Sequence, residues 1–160
     1  MTDEKKFTIE EAHKAFAPGI FNRVWDLLEK EDRSTEDNEI MINAAHASLY
    51  HWRSVGEMIN LQRGQWMIAK VYTTLGMKES ALHHAQICLD LTNQHKVNDF
   101  DLSFAYEGFA RAQALHGNLD DCAKYVDLAR ESVEQIKKKG DKDYFLEVLG
   151  KEPWFGFSED

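Results

Sequence analysis

LQRGQWMIAKVYTTLGMKESALHHAQICL, residues 61–89, holds the reading on which the fold turns. Its apolar residues recur at helical spacing up to Leu75 and Gly76, where a break is expected. Beyond the break, Ala81, Ala85 and Cys88 fall at i, i+4 and i+7, one face of a second helix, and all three are small. Small side chains let two helices approach closely, so the stretch reads as an antiparallel helix pair. The adjacent His83 and His84 project about 100° apart on a helix and do not easily share a metal ion. One of them is expected at the surface and the other between helices.

The same pattern recurs along the chain. Gly76 and Gly117 are 41 residues apart, and that shift aligns apolar positions in both directions. On the first helices, Ile20, Leu61 and Leu102 correspond, as do Leu27, Ile68 and Phe109. On the second helices, the shift pairs Ile40 with Ala81 and Cys122, Ala44 with Ala85 and Val126, and Ala47 with Cys88 and Ala129. His46 then matches Ile87 and Leu128, which predicts a buried or half-buried histidine hydrogen-bonded within the core.

The spacing of Ala69, Tyr72, Gly76, Ala81, Ala85 and Cys88, repeated at Ala110, Gly117, Cys122, Val126 and Ala129, resembles the tetratricopeptide repeat in a form longer than the usual 34 residues. The likeness covers about residues 20–140. It departs from the pattern in the first repeat, where Glu31 and Thr35 replace the aromatic and the turn glycine. It implies an all-α, right-handed superhelix of about three helix pairs plus a C-terminal capping helix. The repeats would span about 20–60, 61–101 and 102–142 within a single domain, 1–150, followed by an aromatic and acidic tail, 151–160. In that family the first helices line a concave groove. Carried over, the groove positions are Arg63, Trp66 and Lys70, then Phe104, Glu107 and Arg111, with Asn22, Trp25 and Glu29 in the first repeat. Aromatic area beside cationic groups suits a protein or peptide ligand with acidic groups. Segments such as HASLYHW and DFDLSFAYE are also similar to segments of small uncharacterised bacterial proteins.

Composition is that of a soluble globular protein. The chain has 160 residues, 43% of them hydrophobic and 29% charged, enough for one ordinary core. A net charge of −9 disfavours nucleic acid and anionic membranes as partners, because both demand a cationic field. No apolar run reaches the ~20 residues that cross a bilayer. The opening MTDEKKFTIEE has no signal-like apolar core, so a cytoplasmic location is expected. Cys88 and Cys122 form no C-x-x-C pair and read as packing residues.

Helix ends are marked locally. Pro18 suggests a helix start; Ser34 with Asp37 makes a capping-type opening to a helix that stops at Gly56. Further helices are expected over 57–75, about 78–95, from Asn98 or Asp99 to Gly117, and from Asn118 to Gly140. In the last, the Lys137–Lys139 cluster would sit at the C-terminus with Gly140 just beyond it. DKDYFLEVLG then reads as a short cap, and Trp154, Phe155 and Phe157 make the tail too aromatic to stay in water. It either folds back on the chain or docks on another molecule, a second copy included.

Catalytic patterns are sparse. No phosphate loop or G-x-S-x-G occurs, and no cofactor is expected. Arg111 and His116 form R-x-x-x-x-H, which resembles the motif of HEPN-class helical ribonucleases, and the seven histidines leave a metal site as another hydrolase alternative. Glu107 and Arg111, four apart, read as an ion pair along one helix.

Overall fold

The computed structural model describes residues 4–159. Among them are seven α-helices and no strand: α1 (Ile9–Glu29), α2 (Thr35–Val55), α3 (Met58–Thr74), α4 (Lys78–Gln94), α5 (Asp99–His116), α6 (Leu119–Ser132) and α7 (Lys139–Leu149). No helix in the described residues is long and apolar enough to cross a membrane. The chain divides into two compact units, the first ending at Gly64 and the second beginning at Gln65, so the division falls within α3.

In the first unit α1 packs on α2. Thr8 and Glu11 close a reciprocal cap, in which the Glu11 amide donates to the Thr8 hydroxyl (3.1 Å) and the Thr8 amide to the Glu11 carboxylate (2.8 Å). α1 therefore begins well before Pro18, which lies inside it and not at its start. The ring removes a single i to i−4 bond, and packing against α2 carries the helix through. Ser34 and Asp37 cap α2 in the same way, as expected, and Gly56 ends it. Ala17, Val24 and Leu27 of α1 are buried, as are Met41, Ala45, Ser48 and Leu49 of α2. Deep in the pair, the Ser48 hydroxyl donates to the Ala17 carbonyl at 2.8 Å.

The second unit is a succession of helices in which α5 packs on α4, α6 and α7. Its two turns at Gly76 and Gly117 are built alike. Both glycines adopt left-handed backbone, φ +71° and +95°. After each, an amide reaches back five residues, Met77 to the Tyr72 carbonyl and Asn118 to the Gln113 carbonyl, both at 2.9 Å. This closure satisfies the carbonyls a helix end leaves open, and glycine adopts its geometry without a Cβ clash. The first unit has no such glycine. There Arg33 does the work, its guanidinium donating to the carbonyls of Leu28 (3.1 Å) and Lys30 (3.0 Å).

The repeat itself shows in burial. Ala81, Ala85 and Cys88 of α4 match Cys122, Val126 and Ala129 of α6 at a shift of 41, all fully buried. In α2 the buried set is Met41, Ala45, Ser48 and Leu49, which matches Ala81, Ala85, Cys88 and Leu89 at a shift of 40. The expected set Ile40, Ala44 and Ala47 is thus one residue out of register; Ile40 is 39% exposed and the two alanines are only half-buried. The cause is one extra residue in the turn between α1 and α2. Leu27 lies fourteen positions before Met41, whereas Ile68 and Phe109 lie thirteen before Ala81 and Cys122.

The helix expected from Asn118 to Gly140 is also corrected. α6 stops at Ser132, a 3-10 turn covers Val133–Gln135, and α7 starts at Lys139 with Gly140 inside its first turn. Ile136, 4% exposed, takes extended backbone to reach the core, and that burial breaks the helix. The break is held on both sides. The Ser103 and Ser132 hydroxyls meet at 2.6 Å, and the Asp99 carboxylate accepts from the amides of Phe100 (2.8 Å) and Lys137 (3.3 Å). α7 then lays Phe145 and Leu149 into a core made with Val126, Ala129, Val133 and Trp154.

Candidate functional site

The expected groove residues of the second unit lie on α3 and α5. Trp66 is half-buried and meets Phe104 edge to face, ring centroids 5.6 Å apart. Its indole lies over Gly108, where an added Cβ would stand 3.2 Å from the ring. The glycine makes the space that seats the tryptophan. Phe104 continues the aromatic row to Tyr144 (6.0 Å) and Phe145 (5.0 Å) of α7. Lys70, one turn along α3, holds its ammonium 5.6 Å from the Trp66 ring, within reach of a cation–π attraction. Burial pulls its pKa down; the Glu107 carboxylate opposes that, while Arg111 and Lys151 reinforce it.

Glu107 is only 2% exposed and is paired with the Arg111 guanidinium four residues on, as the spacing suggested. The remaining donors of Arg111 serve the C-terminal segment. They reach the carbonyls of Val148 (2.7 Å), Lys151 (2.9 Å) and Pro153 (2.9 Å), and the guanidinium stacks on Trp154 at 4.0 Å. Arg111 therefore binds a peptide segment, and that segment is the chain's own. Arg63 lies in the first unit and is half-buried. Of the first-repeat positions, Trp25 is half-buried while Asn22 and Glu29 are exposed.

The tail folds back, the first of its two expected alternatives. Trp154 is 8% exposed, with its indole N–H donating to the Leu149 carbonyl at 3.1 Å, and Phe157 meets its ring at 6.0 Å. Glu159 accepts from the Arg130 guanidinium of α6 at 2.8 Å. Between tail and α6 lies an open cleft of about 260 Å³ lined by Val126, Arg130, Leu149, Trp154 and Phe157.

The histidines distribute over several places. Arg111 turns to the tail, whereas His116, five residues later, faces Glu79 of α4 with Nε2 3.2 Å from its carboxylate. The two members of R-x-x-x-x-H thus have separate partners. His84 lies between helices, 2.7 Å from the Gln65 amide oxygen and stacked on Tyr72 at 5.7 Å, while His83 is exposed, the expected division. His46 departs from expectation. It is exposed, because in the 40-residue register it matches Gln86 on the solvent side and not Ile87. Burial pushes the thiols of Cys88 and Cys122 up to about 12 and about 11, as befits packing residues. One contact was invisible in the sequence: His13 of α1 meets His51 of α2 with Nδ1 atoms 2.7 Å apart, across 38 positions and with no motif spacing. Among the described residues no three His, Cys, Asp or Glu side chains converge as a metal-binding group.

No protein-family model, no curated protein and no solved structure matches the chain.

Proposed function

We propose that the chain is a tetratricopeptide-like, right-handed helical-repeat module that binds a protein or peptide segment without catalysing a reaction. The observation that carries this reading is the recurrence of one buried face on α2, α4 and α6, together with the identical turns at Gly76 and Gly117. Stacked helix pairs of this kind present an extended surface on their first helices, and binding is what such surfaces serve. In the second unit Trp66, Phe104 and Lys70 supply apolar area and a cation, which suits a ligand with an aromatic or aliphatic side chain beside a carboxylate. Arg111 and Glu107 belong to the scaffold under that surface, since their charges are committed to each other and to the tail. The cell compartment proposed is the cytoplasm.

The test is selection from a displayed library of short peptides against the full chain. Acidic sequences should be enriched, and Lys70→Met should weaken a selected peptide about tenfold, as expected for a contact worth about 1.4 kcal/mol. Its thermal midpoint should stay within a degree or two of the parent. Unchanged affinity in Lys70→Met removes the groove assignment, and enrichment of basic or purely apolar peptides removes the ligand class.

A further inference from the structure

We propose that His13 and His51 form a two-imidazole chelate for a divalent transition-metal cation, with copper(II) and nickel(II) the best-suited ions. The pair lies wholly in the first unit and shares no residue with Trp66, Lys70 and Phe104. Its two Nδ1 atoms face each other at 2.7 Å, with ring centroids 5.0 Å apart and planes tilted by 55°. Each neutral imidazole offers one lone pair, so at this separation an electrophile must lie between the nitrogens. A single shared proton meets that need, and so does a metal ion.

Geometry selects the ion. With metal–nitrogen bonds of about 2.0–2.1 Å, a right-angled pair of ligands sets its nitrogens about 2.9 Å apart, and a tetrahedral pair about 3.3 Å. The observed separation is closer to the right-angled case, and opening by about 0.2 Å reaches it. Tetragonal copper(II) and nickel(II) use that angle, and imidazole suits both; the general affinity order places copper(II) first.

The site is held in place by its neighbours. One turn from each histidine, Ala17 and Ser48 join the two helices through the buried 2.8 Å hydrogen bond. Opening the pair is therefore a matter of side-chain rotation, with the backbones fixed. Phe16 and Tyr50 lie at 5.4 and 5.6 Å from the His51 ring, and Tyr50 at 6.1 Å from that of His13. These ring contacts limit the rotation of the imidazoles. Lys14, next to His13, is paired with Glu10 at 2.5 Å, which offsets the local cation. Both histidines are half-buried, so water completes the coordination from the open side.

The experiment is calorimetric titration of the full-length chain with nickel(II) chloride, then copper(II) chloride, at pH 7.5. One equivalent should bind, and His13→Ala and His51→Ala should each weaken it at least tenfold, while His46→Ala, exposed on the same helix as His51, leaves it unchanged. A second measurement needs no variant. Nickel(II) should protect His13 and His51 of the parent chain from diethylpyrocarbonate and leave His46 reactive, as read by peptide mass mapping. Absence of binding, equal binding by either alanine variant, or protection that spares this pair overturns the proposal.

Discussion

Replacing Arg111 by methionine tests what this residue does more sharply than any other change. The substitution keeps much of the side-chain volume and takes the countercharge away from the Glu107 carboxylate, which is only 2% exposed. Stranding a buried partner costs about 3–5 kcal/mol, whereas the lost bonds to the Lys151 and Pro153 carbonyls cost less, because those carbonyls are exposed and water replaces the donor. Loss of stacking on Trp154 adds about 1 kcal/mol. Lys70, which already feels the Glu107 charge, offsets part of the loss. The expected total is about 4 kcal/mol, most of it due to Glu107. The double variant Glu107→Gln with Arg111→Met should therefore recover about 2 kcal/mol or more, since a neutral amide is far cheaper to bury unpaired. Urea unfolding at pH 7, followed by far-ultraviolet circular dichroism, measures both. A cost below about 1 kcal/mol for Arg111→Met, or no recovery in the double variant, would refute the view that the pair is a buried structural element.

Further outcomes follow from the same contacts. Trp154→Ala should destabilise the chain by about 3–5 kcal/mol in urea unfolding, and Trp154→Phe by about 1 kcal/mol through its lost bond to Leu149; a neutral alanine variant would mean that the tail does not dock. Cys88 and Cys122, with thiols pushed up to about 12 and about 11, should not react with Ellman's reagent at pH 8 until the chain is unfolded in guanidinium, and rapid native reaction would contradict their burial. The Asp37 carboxyl is held down to about 2 by the Lys30 ammonium first and the Ser34 amide next. A depressed carboxyl stabilises the fold above its ordinary value and loses that contribution as pH falls through its folded value. The advantage of the parent over Asp37→Asn in urea midpoint should therefore be full above pH 4 and gone near pH 2, and a constant difference across that window would count against the cap.

How far the sequence can be read depends on whether a feature is local. Turns at Gly76 and Gly117, the Ser34–Asp37 cap and the small faces of α4 and α6 were legible because each rests on residues within one or two turns of helix. Register in α2 was misplaced because the turn before it carries one more residue, and Arg33 supplies there the capping that glycine supplies elsewhere. Helical propensity and the lysine cluster alone carry α6 through to Gly140. Only Ile136, drawn into a core shared with α5 and α7, shows that it must stop.

The candidate site divides along the same line. Periodicity placed Trp66, Phe104, Glu107 and Arg111 on first helices and the Glu107–Arg111 pair on one face, since helix geometry alone relates positions four apart. Only the tertiary structure turned Arg111 toward the tail and brought His13 to His51, because those contacts join residues about 40 positions apart in the chain. A helix states which side of itself is apolar; which partner meets that side, and which charges are left over, is decided by packing.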